Sequence, residues 1–172
     1  MSRIPIFDRG RTVLPVTGKD WMTLEIRGDD GPGLGSGAFG VSRGGGARPH
    51  RGIDIVSQPG EPVHALQGGV FVRISRPYHP EESPHLAEFT GAIIRDDDGN
   101  NHIYWYMNPV KMRAGQRINK GDVIGHTQNR ARLSKGMTNH FHFEIRTPTW
   151  TSGNRTVLNP VPYLEQLGFN FR

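Results

Sequence analysis

The chain of 172 residues contains no cysteine. That absence excludes disulfide staples, thiolate metal sites and cysteine nucleophiles together, and leaves His and carboxylate to hold any metal. No apolar run approaches the roughly 20 residues that a membrane-crossing helix needs, so no membrane span is expected. Residues 1–16 hold arginines but no unbroken apolar stretch of the length that a secretion signal carries. Hydrophobic residues are themselves scarce, at 34%. Glycine (23) and proline (13) take up the shortfall, with 36 of the 172 positions, against an average share nearer ~12%. This argues against a helical bundle and for short strands joined by many turns. Three Trp, four Tyr and eight Phe supply material for a core, which argues against disorder. A chain of this length buries roughly 70% of its unfolded surface in one core and needs no staple.

Residues 1–20 are mixed and punctuated by Pro and Gly, and read as an N-terminal arm ahead of one domain over residues 21–172. Residues 21–27 alternate as a strand does. Residues 28–46 follow, with nine glycines and one proline. A flexible linker would have that composition, but Leu34, Phe39 and Val41 are anchors a linker does not need, so an ordered loop with left-handed positions is expected. Arg27-Gly28-Asp29 is an adhesion-type triplet that arises often by chance. Further strands are expected at 52–56, 63–65, 69–74, 91–95, 102–107, 122–125 and 141–146, each bounded by turn residues. The acidic run at 96–101 lacks the alternating ligands and closing Glu of a calcium loop. Its Asp98-Gly99 suits a hairpin turn. Residues 75–90 form a polar, proline-bearing loop with at most one helical turn. The expected fold is mainly β, a single antiparallel domain with long loops and little helix.

Eight histidines need sorting. His50 and Asp54 stand four apart, with Asp54 between Ile53 and Ile55. A carboxylate there belongs either to a strand with one wet face or to a partner or metal, because buried charge needs compensation. Farther on, Asn139-His140-Phe141-His142-Phe143-Glu144-Ile145 alternates without a break. Period two puts His140, His142 and Glu144 on one face and Phe141, Phe143 and Ile145 on the other. The first set suits a common ion or a common water, and equally a surface strand with two incidental histidines. The two clusters together offer nitrogen and oxygen ligands of the kind that bind catalytic zinc with one position open. His64, His79, His85, His102 and His126 carry less information, with His79, His85 and His126 expected nearest a groove rim.

His50-Arg51-Gly52-Ile53-Asp54, the following Gly60-Glu61-Pro62-Val63-His64-Ala65, the glycine-led strand at 69, Tyr106-Met107, the run at 114–125 and the His140–Ile145 alternation resemble, in order and spacing, the M23 (lysostaphin-type) family of zinc metallopeptidases. The resemblance extends from about Glu25 to Leu164. It implies a β-rich fold with one Zn2+ in a groove, held by His50, Asp54 and His142, with His140 as the catalytic histidine. It further implies a zinc-dependent endopeptidase acting on the peptides of peptidoglycan. Residues 25–55 and 73–78 are similar to the leukocyte-cell-derived chemotaxin 2 branch of this family. Active members carry a further His two residues after a tyrosine. Asn108 stands there in this chain, which implies hydrolysis that is weakened or rescued by Tyr106, His102 or His126, with Glu144 as a candidate for orienting a ligand. The alternative is an M23-like module of little or no turnover with a structural or wall-binding role.

Seven Lys and Arg against Asp122 alone occupy residues 111–135, either as a solvated face or as an attraction for an anionic polymer. Nucleic acid is not expected, since no recognised motif or aromatic interleaving accompanies the charge. The missing signal points to a phage tail, tailocin or other virion component made in the cytoplasm and delivered to the wall or periplasm, with residues 1–20 docking on tail or baseplate proteins.

Overall fold

A computed structural model describes residues 7–8, 11–12, 20–43, 46 and 48–172. Among them the chain forms, in order, β1 (Phe7–Asp8), β2 (Arg11–Thr12), β3 (Thr23–Leu24), β4 (Ser42–Arg43), β5 (Arg48–Pro49), β6 (Ile53–Val56), β7 (Pro62–His64) and β8 (Gly69–Ser75). There follow β9 (Gly91–Arg95), β10 (Asn101–Trp105), β11 (Met107–Pro109), β12 (Arg117–Ile118), β13 (Val123–Thr127), β14 (His140–Arg146), β15 (Val157–Leu158), α1 (Pro160–Gln166) and β16 (Asn170–Phe171). The architecture is mainly β, as the glycine and proline content requires. The docking role expected of residues 1–20 falls almost wholly outside the described residues.

The main sheet has the order β12-β8-β9-β10-β14-β15, with β6 beside the first half of β14. A second sheet, β11-β13-β7, adjoins it, and both are antiparallel throughout. β14 sets the layout because its two faces differ. Phe141, Phe143 and Ile145 enter the core with Ile53, Ile55, Tyr104, Ile94 and Leu164. Each fully buried side chain of this size contributes roughly 1.5–3 kcal/mol, which fixes the register of β14 and thereby aims His140, His142 and Glu144 the other way.

The expected strand over 102–107 is broken. Tyr106 has φ 63°, the one left-handed non-glycine residue among those described, and the chain passes there from the main sheet to the smaller one. The residue is held by packing, since its ring meets Phe89 at 5.6 Å and Tyr78 at 6.4 Å. The expected loop lies on the sheet at Gly37: Asp54 N–H donates to Gly37 O and Gly37 N–H to Arg27 O, at 2.9 and 2.8 Å. A Cβ on Gly37 would lie 2.7 Å from Asp54 Cβ, so no larger residue permits that approach. The acidic run at 96–101 closes the β9–β10 hairpin, with Gly99 at φ 82°.

Candidate metal centre

β14 and β6 pair so that His142 and Asp54 stand directly opposite each other, and His50 enters from the loop just before β6. His50 Nε2 and His142 Nδ1 are 3.2 Å apart, His50 Nε2 and Asp54 Oδ1 3.3 Å, and His142 Nδ1 and Asp54 Oδ1 3.1 Å. All three residues are buried. Donors at zinc's ordinary bond lengths, arranged tetrahedrally, would lie about 3.3–3.4 Å apart. The triangle has that size.

The second nitrogen of each imidazole decides what the first can do. His50 Nδ1–H donates to Ala38 O at 3.0 Å, and His142 Nε2–H to Glu144 Oε1 at 3.1 Å. Both tautomers therefore turn a lone pair into the triangle, the arrangement that outer partners impose on metal-ligating histidines. Three acceptors facing one another at this range call for a cation, and without a metal a proton serves. Burial alone would lower His142, but its hydrogen bonds to Asp54 and Glu144 raise it to about 9. Burial opposes ionisation of Asp54, yet the hydrogen bond from protonated His142 keeps it well below the usual carboxylate range. Glu144 likewise falls to about 2 against its burial, through His142 and Arg146.

His140 lies one step along the same face. Its Nδ1–H donates to Thr138 O at 2.9 Å, which leaves Nε2 as an acceptor, 3.7 Å from Asp54 Oδ2. Burial holds it below its ordinary pKa, so the ring is neutral at pH 7 and able to accept a proton. Asp54 Oδ2 also receives Arg27 Nη2 at 3.1 Å. Arg27 is 1% exposed and binds Asp30 as well, while Asp30 accepts from the backbone and hydroxyl of Thr138 at 2.8 and 2.7 Å. One network thus ties the glycine-rich loop to the segment that aims His140. The sequence hid Arg27 inside the adhesion-type triplet; its one visible signal is a cation at the end of an apolar strand, 27 residues ahead of Asp54.

Asn108 is exposed on β11, directly across from His126 on β13, and both face away from the buried Met107 and Thr127. Neither side chain hydrogen-bonds to another described residue. Tyr106 stands edge-on to His140, with ring centroids 5.8 Å apart at 88°. Its hydroxyl is 3.1 Å from that of Tyr78, and the Arg130 guanidinium lies 5.2 Å from its ring centre. His102 is not in the groove. It pairs with Ile145 across the ladder and so lies on the opposite face of the sheet, where Nε2–H donates to Asp96 Oδ2 at 2.9 Å and Tyr163 adds a second bond to the same oxygen. The strand begins at Asn101, and the parity of the ladder turns His102 inward.

The cations of residues 111–135 are dispersed. Arg117 pairs with Asp97, Arg132 with Glu88, and Lys120 donates to Leu167 O. Another cationic group forms around Arg51, the neighbour of His50, on which the charges of Arg155, Arg146 and Arg48 act. Burial and the neighbouring charges of Arg155, Arg146 and Arg48 weaken the hold of Arg51 on its proton, and Glu144 partly offsets them.

Comparison with known proteins agrees with this geometry. Over 140 residues the chain is 27% identical to the glycyl-glycine endopeptidase ALE-1 of Staphylococcus capitis, covering 80% of this chain and 34% of that protein. Over 100 residues it is 29% identical to endolysin 2638A of Staphylococcus phage 2638A, covering 56% of this chain and 19% of that one. The chain thus spans about a third or less of the curated relatives it matches. Its fold is similar to the catalytic domain of the antimicrobial peptidase lysostaphin from Staphylococcus simulans, with a TM-score of 0.54 and 21% identity over 74% of this chain and 89% of that one. The pattern that defines Peptidase family M23 matches residues 48–160, a span that holds His50, Asp54, His140 and His142, and the chain belongs to that family.

Proposed function

We propose that the protein is a zinc-dependent endopeptidase that cleaves peptide bonds of peptidoglycan. The observation that carries this reading is the triangle of His50 Nε2, Asp54 Oδ1 and His142 Nδ1 with the His140 Nε2 lone pair beside it. Zinc in such a donor set supplies Lewis-acid polarisation of a carbonyl and lowers the pKa of water to about 7. His140 takes the proton of the attacking water at Nε2 and returns it to the leaving amine, a contribution typically of about 10²–10⁴-fold. Thr138 O keeps the His140 tautomer in place by accepting from Nδ1. Glu144 holds His142 and its own charge is held by Arg146.

The Asn108 amide can donate a hydrogen bond to developing negative charge but carries no charge itself. Tyr106, edge-on to His140 and beside Arg130, is the neighbour best disposed to assist; His102 is on the far face. Likeness to a phage endolysin supports delivery from a phage particle as the finer part of the proposal, which mass spectrometry of purified particles tests: absence of the chain would remove it.

Zymography on purified murein, with and without a chelator, tests the activity. Clearing that the chelator abolishes and zinc restores is expected, and its absence would sink the reading. Asn108 favours a second reading, a metal-bearing module of the chemotaxin-like kind with little turnover. Asn108→His separates the two. A gain of hydrolysis from almost nothing supports the second, and an already active protein that gains nothing supports Tyr106 as the substitute.

A further inference from the structure

The face of β14 that carries His140, His142 and Glu144 runs on to Arg146. The Arg146 guanidinium lies 5.5 Å from the Trp105 ring centre and 4.2 Å from that of Trp150. Trp105 in turn stacks on the His142 ring, at 5.2 Å and 21°. Metal-site histidine, indole, guanidinium and indole form one continuous row leading out of the centre.

The charges of Arg155, Arg146 and Arg48 all bear on Arg51, so Arg146 shares its neighbourhood with three further guanidinium groups. Arg48 and Arg155 are exposed, and none of the three forms a salt bridge among the described residues, Arg51 feeling Glu144 only at longer range. Glu144, the carboxylate that faces them, is already engaged by His142 and Arg146. One carboxylate, Glu144, thus answers four guanidinium groups; the excess positive charge repels itself, and an anionic ligand relieves that repulsion. The planar fork of arginine matches a carboxylate with two parallel hydrogen bonds, and stacking on indoles holds the fork of Arg146 in place beforehand. The indole faces add flat apolar surface for the body of the ligand.

We propose that this wall of Arg48, Arg51, Arg146, Arg155, Trp105 and Trp150 is a subsite for an acidic peptide, which draws a chain bearing free carboxylates across the metal centre in preference to uncharged oligoglycine. As a substrate subsite it rests on the endopeptidase reading, while the binding itself is measured without hydrolysis.

Tryptophan fluorescence of the full chain, titrated with tetraglutamate, tetraglutamine and tetraglycine, tests it. Tetraglutamate is expected to bind about tenfold tighter than either neutral peptide, a factor worth ~1.4 kcal/mol, and to weaken as salt screens the charges. Arg155→Gln and Arg48→Gln, both at exposed positions, each lower that affinity several-fold, whereas Lys111→Gln with Arg113→Gln, an equal or larger loss of charge outside the wall, leaves it unchanged. Equal affinity for the three peptides would overturn the proposal, as would equal losses in the control variant. Heparin displacing tetraglutamate at matched charge and binding more tightly would also overturn it, because the wall would then read a polyanion and not a peptide. Peptide binding that persists without murein cleavage counts against the endopeptidase reading alone; cleavage without the tetraglutamate preference counts against the subsite alone.

Discussion

The partners of its two ring nitrogens settle the chemistry of His142. Its Nε2–H goes to Glu144 and its Nδ1 turns to Asp54 and His50. Replacing Glu144 by Gln keeps an acceptor but removes the charge that raises ligand basicity. Zinc affinity, read by competition with a chelating dye, is expected to fall about 10–100-fold. A proton competes for the same lone pair, since His142 titrates near 9 without metal. Apparent zinc affinity of the unaltered protein therefore rises as pH rises toward 9, roughly tenfold per unit, and levels off above it. Tyr106→Phe removes the hydroxyl that bonds to that of Tyr78 while keeping the ring that meets His140 and Phe89. A loss of about 10²-fold in kcat with KM little changed is expected if that hydroxyl supports the transition state, and unchanged kcat would return the role to Asn108.

At the scale of elements, the centre depends on how closely the start of β6 approaches β14. A Cβ on Gly52 would lie 2.2 Å from Phe143 O and 2.9 Å from His142 Cε1. The first contact is with backbone of a central strand, which has no room to yield. Gly52→Ala is expected to cost about 1–3 kcal/mol, measured by urea unfolding, and to lower zinc affinity because Asp54 shifts relative to His142. The β6–β14 ladder was legible in outline, since both strands have clear alternation. The break at Tyr106 was not, because nothing in the local pattern of residues 102–107 marks a left-handed tyrosine. Its φ of 63° is sustained by contacts with Tyr78 and Phe89, which come from a loop far away in sequence.

Across the whole molecule, a second buried polar group lies behind the sheet. Asp96, on the β9–β10 turn, receives His102 and, from α1, Tyr163. Burial opposes its ionisation, but the hydrogen bond from His102 and the backbone of Asn100 hold its pKa well below the usual range. A carboxylate depressed on folding contributes stability that is complete above its unfolded pKa near ~3.9 and is lost as pH falls through the folded value. Stability to urea should thus decline below about pH 4. Asp96→Asn is expected to be less stable at pH 7 by roughly 3 kcal/mol, as for a buried pair that loses one partner. It should also show a shallower acid decline, with Asp54 and Glu144 supplying what slope is left. An Asn variant as stable as the parent at pH 7 would rule the network out as a fastener of α1 to the sheet.

The sequence by itself determined the fold class, because a fifth of the chain is glycine and proline and its strands alternate with period two. It also determined which residues could ligate metal: without cysteine, only His and carboxylates are available, and the parity of β14 puts His140 and His142 on one face. Tertiary structure decided the rest, because it depends on which distant segments meet. Arg27 reaches Asp54 only when the glycine-rich loop folds back on β6. Ladder register sends His102 behind the sheet while Trp105, on the same strand, stacks on His142. The cations that act on one another lie at Arg48, Arg51, Arg146 and Arg155, not in the basic run at 111–135, since charge density is a property of points in space, and folding brings those four together from separate parts of the chain.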